Sequence, residues 1–218
     1  MPNKAVIVGA SGLIGSYLLD IVLERPEYQE VLALVRRELP IRHKKFVQAE
    51  IDFDKLDNYS TLINGHAVFS CLGTTQSKVA DQSAYRRIDH DYPLQLAEIA
   101  KRNNITQFHL VSSIGADPRS SNFYTRLKGE IEDDLKQVGL KCLHIYQPCV
   151  LTGDRKESRP MERFIIGVMK VIDPLLVGGL KKYRSIPAQT VARAMFNQSL
   201  KTEAGIFVHP SDKIKSLT

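Results

Sequence analysis

The sequence predicts an α/β fold with a doubly wound parallel sheet. Short apolar runs rich in β-branched residues alternate along the chain with amphipathic stretches of helical periodicity, which is the pattern of βαβ units. The first run, AVIV, leads directly into the glycine-rich turn VGASGLIG. A chain of 218 residues that is 43% hydrophobic and 25% charged can form one well-buried core. We therefore expect a single domain spanning residues 1–218.

The apolar runs and the amphipathic stretches between them give the predicted elements in chain order. Strands are expected at 4–9, 31–35, 46–51, 66–72, 108–113, 141–147 and 205–209. Helices are expected at 13–24, 55–63, 83–102, 122–137 and 187–200. The pattern becomes irregular after Pro148, so the regular βαβ core is expected to end there.

The C-terminal stretch 151–218 is too short to bury a core of its own, and we expect a small substrate-side extension against the carboxyl end of the sheet. Its charged loop DRKESRP at 154–160 is either a lid over the substrate or a solvated surface loop. The apolar stretch at 164–179 is interrupted by two charged residues and a proline, unlike a membrane span of about 20 apolar residues. It is expected to be a buried or interfacial helix that lines a substrate-tail pocket or a homodimer face.

Composition and charge exclude several classes of protein. The net charge of +6 would suit a nucleic-acid partner, but Lys and Arg are interspersed with acids, and no aromatic RNA-binding stripe or Cys/His finger is present. A phosphorylated cofactor is a sufficient reason for some of this charge. The six histidines are dispersed and the three cysteines lack CxxC spacing, so no metal site is expected. No secretory signal segment is visible, which predicts a cytoplasmic protein.

Three glycines lie between a predicted strand and a predicted helix, the context in which a glycine string indicates dinucleotide binding. Gly9 permits a tight turn, Gly12 lets the backbone approach a pyrophosphate, and Gly15 lets the helix pack closely on the strand. The phosphates would then meet the amides and the dipole at the helix N-terminus. The cofactor-binding residues expected in this Rossmann-like turn are Gly9, Ser11, Gly12, Leu13, Ile14 and Gly15.

The ends of the second and third predicted strands carry candidates for the adenosine half of the cofactor. In VLALVRRE, Arg36 stands where NAD-binding proteins commonly carry an acid for the ribose hydroxyls. A guanidinium can hold a 2′-phosphate through paired charge-assisted hydrogen bonds, so Arg36 predicts NADP(H). The neighbouring Arg37 is more typical of a solvated strand end. Asp52, in EIDF, either contacts the adenine amino group or caps the following helix.

A tyrosine, a lysine and a serine pair form the candidate catalytic group. Tyr124 and Lys128 lie four residues apart in a segment whose apolar residues repeat at helical spacing, so both side chains face one cleft. Ser112 and Ser113 end the preceding strand, at the sheet edge where ligands bind in this architecture. An ammonium close to a phenol stabilises the phenolate, which makes Tyr124 a usable general acid or base.

Further motifs are spread over essentially the whole chain: GASGLIG, SCLGTT, SSIGAD, SSNFYTRLKGEIE, YQPCVLTGDRKESRP and IPAQTVARAM. In these motifs the chain resembles the atypical short-chain dehydrogenase/reductases, and most closely the Tat-interacting-protein-like oxidoreductases and their bacterial relatives. The resemblance implies NADPH along the sheet edge, with Lys128 on the nicotinamide ribose and Tyr124 as proton donor. It also implies that Ser113, the second serine of SSxxG, polarises the substrate oxygen. Other residues that it places near the cofactor are Gly73, Thr74, Pro148 and Val150.

Two features near the expected cofactor stand apart from this resemblance. Fold relatives often carry an asparagine that helps a water relay, whereas this chain has CLGTT and, in RRIDHDYP, Asp89. The resemblance therefore does not extend to the proton relay. Cys71 and Cys149 lie at predicted strand ends and are either redox-active thiols or buried small hydrophobes.

The candidate residues together predict an NADPH-dependent oxidoreductase that reduces a carbonyl of a small-molecule substrate. A hydride would pass to the carbonyl carbon while Tyr124 protonates the oxygen. The same residues would serve dehydrogenation, epimerisation or dehydration. The alternative function is an NADPH-sensing regulatory protein that binds a protein partner without turnover.

Overall fold

A computed structural model describes residues 3–74, 81–153, 173 and 176–218. Within them the strands are β1 (Lys4–Val8), β2 (Glu30–Val35), β3 (Phe46–Glu50), β4 (Ala67–Ser70), β5 (Gln107–Val111), β6 (Cys142–Gln147), β7 (Leu151–Thr152), β8 (Ile186–Pro187) and β9 (Gly205–Pro210). The main sheet has the order β3-β2-β1-β4-β5-β6-β9, with every neighbouring pair parallel. The order reverses between β1 and β4, the point at which doubly wound sheets bind ligands. The predicted fold class is confirmed.

The helices of the described chain are α1 (Leu13–Glu24), α2 (Gln82–Arg86), α3 (Tyr92–Arg102), α4 (Phe123–Val138), α5 (Ala188–Ser199) and α6 (Ser211–Lys215). Instead of the helix predicted at 55–63, Phe53–Leu62 forms 3₁₀ turns that are interrupted by a kink at Lys55, whose backbone (φ −129°, ψ 38°) leaves the helical region. A second 3₁₀ helix spans Gly178–Tyr183. A π-helical turn, Arg87–Asp91, joins α2 to α3 within the helix predicted at 83–102.

The sheet is buried on both faces, as expected for parallel strands rich in Val and Ile. Alternate residues of β1 enter opposite cores: Ile7 joins the side chains of α1 and α5, whereas Val8 lies on the face covered by α3 and α4. This two-sided burial explains why the strand sequences read as continuous apolar runs rather than as alternating ones.

The C-terminal part completes the fold in two places. β9 pairs with β6 at the edge of the main sheet, and β7 pairs with β8 in a separate two-stranded sheet. Directly after β8, α5 packs over α1, and the Tyr28 hydroxyl donates a hydrogen bond to Ser199 Oγ at 2.9 Å. None of the described helices has the length and apolar character needed to cross a bilayer. The loop at 154–160 and residues 164–172 lie outside the described chain, so the substrate-side role of 151–218 stays a prediction.

A row of rings crosses the interior of the sheet. Phe69, His109, His144 and Phe207 occupy successive strands in register, with neighbouring centroids 4.7, 4.7 and 5.0 Å apart. His144 Nδ1 lies 3.0 Å from Nε2 of His209. Burial lowers the pKa of His144 and that of His209 to about 4, and it lowers the pKa of His109 well below its ordinary value. These histidines are neutral packing residues at neutral pH.

We expect the free energy of unfolding to fall as the pH drops from about 6.5 to about 4, partly because of this row. In that window the unfolded chain protonates its histidines while the folded protein keeps His144 neutral, so the loss begins below the ordinary pKa. In the variant His144→Phe, the free energy of unfolding should fall over this pH range by on the order of 2 kcal/mol less than in the unaltered protein. Urea unfolding at a series of pH values measures this difference. The control is His43→Gln, which replaces an exposed histidine. A profile unchanged by His144→Phe would contradict the expectation.

Candidate active site

The glycine turn is the tightest part of the sheet edge. Gly9 has φ +81°, and a Cβ built on it would lie 2.5 Å from the carbonyl oxygen of Cys71, so the turn touches the loop after β4. A Cβ on Gly15 would lie 2.2 Å from the carbonyl oxygen of Gly9, which brings the start of α1 against the turn. The amide of Gly12, at the N-cap of α1, donates to the oxygen of Gly9 at 2.9 Å. The first-turn amides of α1 are thereby held at the point where the strand order reverses, as an anion site requires.

The side chains predicted within this turn have different environments. Ser11 is exposed, Leu13 is half-buried, and Ile14 packs into the core between α1 and the sheet. Ile14 can therefore contribute only its backbone to a ligand. Its side chain fixes the position of the helix whose N-terminus faces the turn.

The ends of β2 and β3 carry Arg36 and Asp52. Because Val8 pairs with Leu34, the chain at Arg36 runs alongside the glycine turn. The Arg36 guanidinium is exposed and makes no hydrogen bond or ion pair to any described residue, and the same holds for Arg37. Asp52 is engaged: its Oδ1 accepts from the amide of Asp54 at 3.1 Å, and its Oδ2 lies 3.3 Å from Lys55 Nζ. The helix-capping role considered for Asp52 is thus present, and its contact with the adenine amino group stays a prediction.

The candidate tyrosine and lysine lie at the start of α4, where the sequence predicts them. The side chain of Asn122 accepts hydrogen bonds from the amides of Tyr124 and Thr125 at 3.0 and 3.2 Å, which fixes where the helix begins. The Tyr124 side chain is 37% exposed, whereas Lys128, one turn further, is only 4% exposed. A Cβ on Gly129 would lie 2.2 Å from the nitrogen of Pro118, so the loop after β5 crosses directly over this turn of α4.

Lys128 is paired with a carboxylate that the sequence did not predict as its partner. Its Nζ lies 2.8 Å from Oδ1 of Asp89, and both side chains are buried. Burial lowers the pKa of Lys128, but the charge of Asp89, the nearby Tyr124 and Glu132 outweigh it and leave the pKa above its ordinary value. Lys128 is thus a buried lysine, one helical turn after Tyr124, whose pKa stays above its ordinary value.

The same carboxylate holds the loop that follows β4. Oδ2 of Asp89 accepts from the backbone amide of Thr74 at 2.8 Å, and the Tyr85 hydroxyl donates to the Thr74 carbonyl at 3.1 Å. A Cβ on Gly73 would lie 3.8 Å from Oδ1 of Asp89. Two successive turns of the α2 to α3 segment therefore fix both backbone groups of Thr74. One signal pointed to such a partner: a lysine predicted on a buried stripe needs a carboxylate.

The two serines at the end of β5 differ in what they contact. Ser112 Oγ donates to Glu132 at 2.5 Å, and the Gln147 amide donates to both oxygens of the same carboxylate at 2.9–3.0 Å. Burial raises the pKa of Glu132. Ser113 Oγ is also buried but has no hydrogen-bond partner within the part of the chain that the structure describes. Only Ser113 therefore has its hydroxyl available to a ligand.

The segment after β6 lies beside these serines. The carbonyl of Pro148 accepts from the amide of Ile114 at 3.0 Å, and the carbonyl of Val150 accepts from the amide of Ile186 at 2.9 Å. Burial raises the pKa of the Cys149 thiol and that of Cys71, the latter to about 12. Both thiols are therefore protonated at neutral pH, although each side chain is only partly buried, and the Cys149 thiol donates to the carbonyl of Tyr183 at 3.1 Å. The two interpretations of these cysteines both stay open.

The described residues thus assemble two adjoining regions. The glycine turn and the end of β2 offer amides and a guanidinium to an anion, while β5 and α4 offer a serine hydroxyl, a phenol and a buried ammonium. Within residues 3–74, 81–153, 173 and 176–218, no three His, Cys, Asp or Glu side chains come together as a metal site requires. The chemistry of these groups is that of hydrogen bonding and proton transfer.

Two relatives resemble the chain along nearly its whole length. Protein HTATIP2 of Rattus norvegicus is 38% identical over 210 residues, which cover 94% of this chain and 85% of the relative. The protein named fmp52, mitochondrial, of Aspergillus clavatus is 33% identical over 229 residues, which cover 100% of this chain and 95% of the relative. The resemblance inferred from the motifs is confirmed by the first of these relatives.

The cytoplasmic location predicted from the sequence is wrong on these comparisons. The fungal relatives, from Aspergillus clavatus at 33% identity and from Saccharomyces cerevisiae at 37%, are both named mitochondrial proteins. The prediction used only the absence of a secretory signal. That absence bears on export and not on mitochondrial import, which uses amphipathic, arginine-rich segments instead.

A family model and a solved structure complete the comparison. The structure of UDP-glucose 4-epimerase from Thermus thermophilus, in complex with NAD, superposes with a TM-score of 0.70 at 17% identity, over 98% of this chain and 81% of that one. This likeness bears on the fold alone. Residues 5–133, which include the glycine turn and the tyrosine–lysine pair, match a family model. The chain belongs to the NAD dependent epimerase/dehydratase family.

Proposed function

We propose that this protein is an NADPH-dependent oxidoreductase that reduces the carbonyl group of a small molecule. The observation that carries the proposal is the buried Ser113 hydroxyl at the end of β5, which has no hydrogen-bond partner among the described residues. Lys128, one helical turn after Tyr124 on α4, supplies a buried ammonium in an ion pair with Asp89. Membership of a family named for NAD dependence supports a nicotinamide cofactor. The complex of the Thermus thermophilus epimerase with NAD is further support.

The residues at the sheet edge fit such a cofactor. Gly9 and Gly15 let the turn and the start of α1 pack closely, and the N-cap Gly12 has no side chain to cap the first-turn amides of α1, which leaves them to an anion such as a pyrophosphate. Arg36 stands beside this turn with its guanidinium free of described partners and suits a 2′-phosphate. Gly73, Thr74, Pro148 and Val150 would line the nicotinamide end. When bound, the cofactor supplies the hydride.

The chain's own residues handle the substrate oxygen and the proton. The Ser113 hydroxyl donates a hydrogen bond to the carbonyl oxygen and polarises it. As the carbon gains the hydride, the Tyr124 hydroxyl gives its proton to that oxygen, which yields an alcohol and a phenolate. Lys128, held charged beside it, stabilises the phenolate. Because Tyr124 is 37% exposed, solvent can return the proton.

The proposal is tested by two measurements on the purified protein. Calorimetry should show binding of NADPH, and a panel of aldehydes and ketones should include compounds that cause protein-dependent oxidation of NADPH, followed by its absorbance. Absence of NADPH binding would overturn the proposal. Binding without turnover of any carbonyl, together with NADPH-dependent capture of a protein, would favour the sensor alternative.

Arg36→Asp should reverse the cofactor preference. The unaltered protein is expected to bind NADPH more tightly than NADH, by about 10- to 100-fold, the range for hydrogen bonds to a charged group. The aspartate would repel the 2′-phosphate and accept hydrogen bonds from the free ribose hydroxyls of NADH. Dissociation constants of both cofactors for both proteins measure the effect.

The matched control is Arg37→Asp, because Arg37 is also exposed and the substitution changes the charge by the same amount. It should lower the affinity for both cofactors to a similar, small extent. Equal affinities for NADPH and NADH in the unaltered protein, or equal effects of the two substitutions, would contradict the role given to Arg36.

A further inference from the structure

We propose that Asp89 is a positioning residue of this site, which ties Lys128 to the loop Cys71–Thr74 and keeps its ammonium charged before any cofactor arrives. This inference rests on the proposed function, because it concerns the lysine that the proposal places on the cofactor.

The two oxygens of the Asp89 carboxylate bind different partners. Oδ1 lies 2.8 Å from Lys128 Nζ, and Oδ2 accepts from the Thr74 amide at 2.8 Å. The Tyr85 hydroxyl donates to the carbonyl of the same Thr74 at 3.1 Å. Since α4 and the loop after β4 come from separate parts of the chain, this carboxylate is a direct link between that loop and α4.

The π-helical turn Arg87–Asp91 explains how Asp89 reaches this position. A π turn fits one more residue than an α turn, and such turns are frequent at functional sites. Its two acids end in opposite environments: Asp89 is 1% exposed, whereas Asp91 is nearly half exposed and contacts His90 and Arg86. The turn thereby buries one carboxylate specifically beside Lys128.

The charge of Asp89 is needed because the surroundings of Lys128 are otherwise unfavourable to an ammonium. The titratable groups that face Lys128 are Asp89, Tyr124 and Glu132, and Tyr85 faces the carboxylate from α2. Burial is the largest influence on Lys128 and opposes its charge. With the carboxylate neutralised, the buried ammonium should lose its proton at a lower pH.

The experiment compares Asp89→Asn with Asp91→Asn, which removes the same charge two residues away on the same turn. The ¹³Cε signal of Lys128 is followed against pH in lysine-labelled protein without cofactor. In the unaltered protein and in Asp91→Asn it should not titrate below the ordinary value of 10.5. In Asp89→Asn the midpoint should fall by at least about one pH unit. An unchanged midpoint in a folded Asp89→Asn protein overturns the proposal.

A second readout connects this titration to ligand binding. Between about pH 7 and pH 9.5, the affinity of Asp89→Asn for NADPH should drop by at least about 2-fold more than that of the unaltered protein, because a midpoint one unit lower leaves about half of the lysine uncharged at pH 9.5. Should Asp89→Asn not fold, titration of Lys128 below about pH 9 in the unaltered protein would by itself overturn the inference. Failure of the proposed function would be seen in a different measurement. In that case the unaltered protein does not bind NADPH, regardless of the pH at which Lys128 titrates.

Discussion

Tyr124→Phe should lower kcat/KM for a carbonyl substrate by about 10²- to 10⁴-fold, the usual contribution of a general acid. The substitution deletes only the hydroxyl, because the ring, the N-cap at Asn122 and the ion pair of Lys128 stay in place. The dissociation constant for NADPH should therefore not change. Steady-state kinetics with calorimetry on the same preparation measure both quantities.

The control is Tyr183→Phe, which removes the hydroxyl of a tyrosine of similar exposure, 40% against 37% for Tyr124, outside α4. This variant should reduce the carbonyl substrate at the same rate as the unaltered protein. An undiminished kcat/KM in Tyr124→Phe would make Tyr124 a packing residue and remove the proton donor from the proposed reaction. A loss of NADPH affinity equal to the loss of rate would place its effect on binding instead.

Lys128→Met should lower the free energy of unfolding by about 3–5 kcal/mol. The substitution leaves the Asp89 carboxylate buried with no cation beside it, and breaking a buried ion pair from one side exposes the full desolvation penalty of the remaining charge. Urea unfolding followed by circular dichroism measures the change at neutral pH. NADPH affinity should fall as well, since the ammonium is assigned to the cofactor.

Two further variants identify the cause of that loss. Lys128→Met combined with Asp89→Leu should recover part of the stability, because no unpaired charge remains. Lys136→Met, at the far end of α4, removes a lysine from a partly exposed pair with Asp133 and should lower the stability by less than about 1 kcal/mol. Equal losses in Lys128→Met and Lys136→Met would show that the pair with Asp89 contributes no more than a surface contact.

The parts of the fold that follow from local pattern could be predicted from the sequence. The apolar runs predicted every strand of the main sheet, and the glycine turn lies between β1 and α1 as predicted, because both depend on residues near each other in the chain. The 3₁₀ helix over Phe53–Leu62 was missed, since its helical pattern does not reveal the break at Lys55. The spacing of Tyr124 and Lys128 likewise predicted their shared helix.

The pairing of Lys128 with Asp89 could not be predicted in the same way. It depends on a π turn, whose extra residue changes which side chain of RRIDHDYP faces inward. It also depends on two helices from separate parts of the chain packing side by side. The local periodicity of the sequence reveals neither the π turn nor the packing of these two helices. The different contacts of Ser112 and Ser113 depend on Glu132 and Gln147 in the same manner.

The covering of α1 by α5 has a consequence for how the chain is made. The face of the sheet that bears Ile7 and Phe69 packs against the helix Ala188–Ser199, and the hydroxyl of Tyr28 pairs with Ser199. On the ribosome, all six strands from β1 to β6 emerge while this apolar surface is still open to water. The nascent chain therefore offers chaperones a large apolar face until the helix Ala188–Ser199 has emerged and docks on it.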